Sequence, residues 1–319
     1  MSLVPPNVDS VVRAGFGERR RRWLADLPKV VAKCCRDWEL EIIGPAMEGG
    51  THSYAAPVMW SGTQPAVLKI PVTDEENRAE AGALYCYDGE GAVRLYAYDP
   101  ESAGMLLEWA RPGRPLVPVD PRVHREGLDE HFDDVAVACE LYRRLWRVPG
   151  PLPDGFAGFE SAVDVVAGWR DTLPKTVAEH SDAFEADMVD LVEEQCRRLA
   201  TPDGPVGLVN RDTHLGNIVA AEREPWLLID PKPLLGERAF DAGFLAIVQV
   251  ESRTELEFAQ RVVHRTARLL GVTPERVRAW TLLRAVEVVH WLPQHPFGRR
   301  CLAIANLMSR MGDQVGAVA

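Results

Sequence analysis

Val209-Asn210-Arg211-Asp212-Thr213-His214-Leu215-Gly216-Asn217, with Ile229-Asp230-Pro231 beyond it, sets two carboxylates and a carboxamide between short apolar runs. Leu208-Val209 reads as a buried strand entering a loop at Asp212. After Asn217 the pattern predicts a hairpin: Ile218-Val219-Ala220 outward, a turn around Glu222-Arg223-Glu224-Pro225, and Trp226-Leu227-Leu228-Ile229 back. Such a hairpin returns Asp230 toward Asn217. One carboxylate at a loop apex, with a carboxamide and a second carboxylate beside it, suits phosphoryl transfer. One group can align or deprotonate an attacking hydroxyl, and two oxygen ligands can hold Mg²⁺ between the phosphates of ATP. The plainer reading makes Asp212 and Asn217 turn-capping residues; Asp230 and the flanking pattern count against it.

Upstream, Ala66-Val67-Leu68-Lys69-Ile70 places a lysine inside an apolar strand, where a charge needs either solvent or a partner. Before it, Leu40-Glu41-Ile42-Ile43 and Tyr54 to Met59 read as strands joined by a loop containing Gly49-Gly50-Thr51. A loop of that kind can lay backbone N–H groups over nucleotide phosphates. Pro71 ends the Lys69 strand, and Thr73-Asp74-Glu75-Glu76 has the form of a capping box opening a helix. With Glu76 used at the cap, Glu80, one turn later, is the expected partner of Lys69, with Glu76 itself as the alternative.

The interval from Asp212 to Asn217 is that of the protein-kinase catalytic loop, Asp-x-x-x-x-Asn, which a metal-binding aspartate follows. The flanking residues resemble the aminoglycoside phosphotransferase family, whose loop reads His-Gly-Asp-x-His-x-Gly-Asn. Asp212, His214, Gly216 and Asn217 match, whereas Asn210 and Arg211 stand in place of His and Gly. Trp226-Leu227-Leu228-Ile229-Asp230-Pro231-Lys232-Pro233 resembles the streptomycin and hydroxyurea phosphotransferase branch in particular.

The resemblance implies an α+β, two-lobed, protein-kinase-like fold with a small antiparallel β N-lobe and a larger helical C-lobe. It also implies ATP and Mg²⁺ as cofactors. Asp212 would align the acceptor hydroxyl, and Asn217 and Asp230 would bind the metal. Lys69, paired with Glu80, and the Gly49-Gly50-Thr51 loop would hold the phosphates. Glu108, Trp109 and Ala110 would line the adenine pocket at the hinge. Asp241 would buttress the catalytic loop. The acceptor would be a streptomycin-like aminoglycoside or a small molecule such as hydroxyurea. A protein kinase is disfavoured, because Ile229-Asp230-Pro231 stands where Asp-Phe-Gly is expected and no Ala-Pro-Glu follows. A catalytically silent nucleotide-binding scaffold need not keep Lys69, Asp212, Asn217 and Asp230 together.

The 319-residue chain carries a formal charge of −11, with 46% apolar and 26% charged residues. That balance is ordinary for a soluble globular protein and argues against a nucleic-acid partner, which needs a basic face. An acidic surface can draw in a polycationic small molecule; it also simply keeps a protein in solution. No signal pattern and no run long enough to cross a membrane appear, so the expected location is the cytoplasm. Cys34, Cys35, Cys86, Cys139, Cys196 and Cys301 lack Cys-x-x-Cys spacing and read as reduced, mostly core, residues.

The expected division is an N-terminal helical extension over 1–37, in two pieces broken at Pro28, a nucleotide-binding lobe over 38–110, and a catalytic and substrate-binding lobe over 111–319. Strands are expected at Gly91–Tyr98 and Gly104–Trp109. Helices are expected over 129–147, 156–173, 184–199, 254–271, 274–292 and 299–311, with a loop over 232–238 and a helix opened by Asp241. Glu251, Glu255, Glu287, His290, Trp291 and His295 are weaker candidates for the acceptor pocket.

Overall fold

Two neighbouring strands with buried alternate positions build the first half of the molecule. In the computed structural model, which describes residues 17–47, 53–72, 74–75, 77–117 and 133–311, β2 (Ser53–Trp60) turns back through Ser61-Gly62-Thr63 into β3 (Gln64–Pro71). They pair antiparallel from Ser53 opposite Pro71 to Trp60 opposite Gln64. With β1 (Leu40–Ile42), β4 (Leu95–Asp99) and β5 (Gly104–Glu108) they form a five-stranded sheet ordered β1-β2-β3-β5-β4. Gly49-Gly50-Thr51, Thr73 and Glu76 lie outside the described residues.

Helix α1 (Gly17–Asp37) lays Leu27, Val31 and Cys34 against Tyr54, Ala56, Val58, Leu68 and Ile70 of this sheet. It runs unbroken through Pro28, contrary to the expected two pieces. Leu27, Val31 and Cys34 recur at helical spacing across the proline, and burying that stripe outweighs the lost hydrogen bond. Helix α2 (Glu80–Tyr87) opens at Glu80, later than expected, and Thr73 and Glu76 of the expected capping box lie outside the described residues. Asp74 and Asn77 exchange backbone-to-side-chain bonds of 2.9 and 3.0 Å, and Asn77 Nδ2 donates to Val72 O at 2.8 Å, closing a separate turn first.

The strands β6 (Pro112–Pro115), β8 (Ile218–Ala221) and β9 (Trp226–Leu228) form a three-stranded sheet, and β8–β9 is the expected hairpin. Arg223 in its turn grips Glu108 with Nε at 2.9 Å and Nη2 at 2.8 Å, and also reaches Ala92 O. Leu228 bonds Gly91 O and Val93 N. Two independent ties therefore fix the strand that leads to Asp230.

By contact density the chain divides into two units: Met1–Arg114 with Gly150–Gly158 and Val219–Pro231, and Pro115–Pro149 with Phe159–Ile218 and Lys232–Ala319. The second is mostly helical, with α3 (Asp134–Leu145), α4 (Ala162–Glu179), α5 (Met188–Leu199), α6 (Ala239–Val250), α7 (Leu256–Leu270), α8 (Pro274–Trp291) and α9 (Pro296–Arg310). Helix α3 is capped by Asp133 and starts later than the expected 129, which itself lies outside the described residues; α4 begins at a Ser161 cap, also later than expected. Gly271 ends α7 in the left-handed region at φ 70° and Pro274 opens α8, as their residue types dictate. Helices α6 and α8 approach so closely at Gly243 that a Cβ there would lie 2.9 Å from the Trp280 backbone. Where a loop was expected over 232–238, β10 (Pro233–Gly236) pairs antiparallel with β7 (Gly207–Asn210), Pro233 opposite Asn210 and Gly236 opposite Gly207. Proline is tolerated there because it is the first strand residue. No described helix is long and apolar enough to cross a membrane.

Candidate active site

The predicted residues fall into two groups, one in each unit. In the first unit, β3 presents Lys69 between Ala55 of β2 and Met105 of β5. Lys69 is only 7% exposed. Its Nζ lies 2.5 Å from Glu80 Oε1 and 2.6 Å from Asp230 Oδ1. Burial pulls the ammonium toward neutrality, but the Asp230 and Glu80 carboxylates outweigh it and hold the pKa above the ordinary lysine value. Glu80, the first residue of α2, is fully buried, whereas the Asp230 side chain is 44% exposed. Asp230 has φ 51°, a left-handed conformation that turns the chain sharply at the end of the hairpin. The result is a buried cation with one enclosed and one accessible carboxylate.

Glu108, Trp109 and Ala110 follow the end of β5. The Glu108 carboxylate is taken up by Arg223 and by Arg94 N at 3.0 Å, so its side chain is committed to structure. Trp109 lies under the Arg111 guanidinium at 5.8 Å. Ala110, beside it, has little more than its backbone to offer a base.

In the second unit, Asp212 follows β7 in a loop fixed at every residue. Asn210 is 2% exposed and makes the bonds that shape the turn. Its Oδ1 accepts from Asp212 N at 3.2 Å and Lys232 N at 2.9 Å, its Nδ2 donates to Asp212 O at 3.1 Å, and its own N donates to Asp241 Oδ1 at 2.6 Å. A carboxamide both donates and accepts, so Asn suits this position. Arg211 N donates to Lys232 O at 2.8 Å, and Arg211 O accepts from Arg284 Nη2 at 2.7 Å. Arg284 is buried on α8, its guanidinium 5.5 Å from the Phe240 ring and 5.4 Å from the Phe244 ring. Beyond Asp212, Thr213 Oγ1 donates to Asp241 O, and His214 Nδ1 accepts from Gly216 N at 2.9 Å, closing a 3₁₀ turn over Leu215–Asn217. That turn swings Asn217 back so that its Nδ2 donates to Asp212 Oδ2 at 3.2 Å. Lys232 Nζ stands 3.7 Å from the same oxygen.

Asp241 sits beneath this loop in α6, 4% exposed. Burial pushes its carboxyl up to about 8, opposed by the Asn210 amide that it accepts. The acceptor-pocket candidates each have separate local partners. Glu287 pairs with Arg284, His290 Nδ1 lies 2.8 Å from Thr176 Oγ1, and His295 caps α9. Glu251 pairs with Arg300 and Glu255 with Arg253, while Trp291 is solvent-exposed.

Sequence reasoning missed Lys232 and Arg284. Lys232 carried a signal, a lysine two residues past Asp230 between two prolines. Arg284 carried only a weak one: its place on the same helix face as Trp280.

A family model described as aminoglycoside/hydroxyurea antibiotic resistance kinase matches residues 41–295. The chain is 33% identical over 303 residues to a streptomycin 6-kinase of Streptomyces glaucescens, with 91% of each protein covered. It is 34% identical over 290 residues to a hydroxyurea phosphotransferase of Kitasatospora aureofaciens, covering 90% of this chain and 79% of that one. Among solved structures, a thermostable mutant of the aminoglycoside phosphotransferase APH(4)-Ia, in ternary complex with ADP and hygromycin B, superposes with a TM-score of 0.59 at 12% identity. That likeness covers 89% of this chain and 99% of the other, and is one of fold. With its α+β, protein-kinase-like fold and a family model that matches residues 41–295, the chain belongs to the aminoglycoside/hydroxyurea antibiotic resistance kinase family.

Proposed function

We propose that the protein transfers the γ-phosphate of ATP to a hydroxyl of a small molecule, either a streptomycin-like aminoglycoside or a compound such as hydroxyurea. The observation that carries this reading is Lys69 held between Glu80 and Asp230 at 2.5 and 2.6 Å. An ammonium kept charged in a buried position is poised to exchange a carboxylate for a triphosphate oxygen. The relatives at 33 and 34% identity, named for streptomycin and hydroxyurea, supply the acceptor class. The net charge of −11 favours approach of a cationic acceptor. The protein-facing chemistry needs no nucleic acid or membrane, and ATP dependence suits a cytoplasmic enzyme.

In this reading Lys69 contacts the triphosphate, Glu80 holds Lys69 in place, and the Gly49-Gly50-Thr51 backbone covers the phosphates. Main-chain groups of Glu108, Trp109 and Ala110 receive the adenine. Asp230 and Asn217 are the candidate metal ligands. Their donors fit Mg²⁺: both are hard oxygens, Asn217 Nδ2 is spent on Asp212 so that its carbonyl oxygen is left for a cation, and Asp230 is accessible. Among the described residues no cluster of three or more His, Cys, Asp or Glu could cage a metal alone, which suits an ion that shares its coordination with phosphates. Held there, Mg²⁺ would supply charge neutralisation at the phosphates. Asp212 accepts the hydrogen bond of the acceptor hydroxyl and aligns its oxygen for in-line attack.

The Asn210-Arg211 pair, which departs from the usual His-Gly while Asn210 still holds the turn, carries a second acceptor assignment, an unrelated metabolite. ADP release with Mg²⁺-ATP, measured against streptomycin, other aminoglycosides and hydroxyurea, separates these readings. Stimulation by one compound, reduced about 10²–10⁴-fold in Asp212→Asn, is the expected result. Nucleotide binding with no stimulation by any compound would move the acceptor to another class; absence of nucleotide binding would overturn the kinase reading.

A further inference from the structure

Asp212 is anchored through one oxygen. Its Oδ2 receives Asn217 Nδ2 at 3.2 Å and faces Lys232 Nζ at 3.7 Å, while among the described residues no hydrogen bond engages Oδ1. The carboxylate is thereby divided: one oxygen is tethered and the other is presented. Lys232 owes its position to the main chain. Its N donates to Asn210 Oδ1 at 2.9 Å, its O accepts from Arg211 N at 2.8 Å, and the next residue, Pro233, pairs with Asn210 in the β7–β10 ladder. Pro231 and Pro233 on either side further limit the backbone. The side chain is 22% exposed, so its ammonium borders solvent and the carboxylate together.

We infer that Lys232 is the cation that meets the transferred phosphoryl group, beyond any contact of Lys69 with the triphosphate. The inference rests on the kinase reading above. An acceptor hydroxyl bonded to Asp212 Oδ1 attacks a phosphorus roughly 3 Å beyond its oxygen. The phosphoryl oxygens then crowd an anionic carboxylate, and a cation shared between them offsets that repulsion. Lys232 is the ammonium that the structure places beside Asp212, on a stem flexible enough to swing between the two anions. In the step itself, the acceptor oxygen–phosphorus bond forms and the bond from phosphorus to the bridging oxygen breaks. The electron pair leaves on the β-phosphate of ADP, and the hydroxyl proton passes to Asp212 and then to solvent. Lys232 keeps its proton and forms no covalent bond.

The test uses the whole chain and two readouts. The first is amine labelling of Lys232, resolved by peptide mass spectrometry, with Mg²⁺ and either ADP or the non-hydrolysable analogue AMP-PNP. The expected result is labelling slowed at least about fivefold by AMP-PNP relative to ADP, because the two nucleotides differ at the γ-phosphate. The second is the Lys232→Met variant, whose backbone bonds persist. Its kcat should fall about 10²–10³-fold with little change in KM for ATP or acceptor, and Lys232→Arg should recover part of the loss. Equal labelling with both nucleotides, or a Lys232→Met variant with unchanged kcat, would overturn the inference. If no acceptor in the panel stimulates turnover, the acceptor assignment fails alone, and the labelling comparison still decides the role of Lys232. A chain that binds neither nucleotide overturns both.

Discussion

Lys69 stays charged in a buried position only because two carboxylates surround it. Exchanging it for Met would leave Glu80 enclosed at 1% side-chain exposure without its cation. Removing one member of a buried pair costs about 3–5 kcal/mol, so urea unfolding of Lys69→Met should show a loss of that size along with loss of turnover. Lys69→Met combined with Glu80→Gln should regain part of the stability and none of the activity. Full wild-type stability in Lys69→Met would mean that the pair contributes nothing to the fold. At this scale the sequence was legible wherever a residue contradicted its surroundings. A lysine inside Val67-Leu68-Lys69-Ile70 announces itself, and so do two carboxylates at fixed distance from an asparagine. Lys232 and Arg284 sit among ordinary neighbours, and their targets, Asp212 and the Arg211 carbonyl, are brought to them only by tertiary packing.

Among elements, α6 and β7 are joined by an acid. Asp241 accepts the Asn210 amide, and burial pushes its carboxyl up to about 8 from 3.8. Between those values the folded chain holds a proton that the unfolded chain has released, so stability falls as pH rises through the window. Asp241→Asn keeps an acceptor for the amide and removes the titration. Thermal melts from pH 5 to pH 8 should show wild type losing ground to Asp241→Asn progressively; parallel curves would place the Asp241 carboxyl near its ordinary value. The elements easiest to foresee, the β8–β9 hairpin and the α7–α8 joint, carry their signals locally, as a turn sequence or as Gly271 and Pro274. Those misjudged depend on something distant. β10 is four residues long, begins with Pro233, and exists because β7 offers it a partner. Helix α1 passes Pro28 because the sheet beneath it buries Leu27 and Val31. Helix α2 starts late because Asn77 reaches back to Val72 and Asp74.

Over the whole molecule, the six cysteines report on global packing. Cys34, Cys139, Cys196 and Cys301 are buried, whereas Cys35 and Cys86 are half-buried. Burial pushes the thiols of Cys139 and Cys301 up to about 12 and that of Cys196 up to about 11, which suppresses the thiolate that reacts. A thiol reagent added to the native protein should therefore modify Cys35 and Cys86 first, and the buried four only on unfolding. Rapid modification of Cys139 or Cys301 without denaturant would show that the helical unit opens far more readily than its packing implies. The apolar helical stripes around them foretold core-placed cysteines; they could not rank them, since depth depends on which helices cover each one.

The left-handed backbone at Asp230 bears on how such a protein can change over generations. Few side chains tolerate φ 51° without strain, and asparagine is among the best of them. A single-base codon change from Asp to Asn at this position would thus leave the turn intact while replacing the carboxylate by a neutral amide. With Asp230 as the metal ligand proposed above, descendants that lose the chemistry in this way keep the architecture, and a silent relative can persist and acquire other uses with no structural scar to mark the transition.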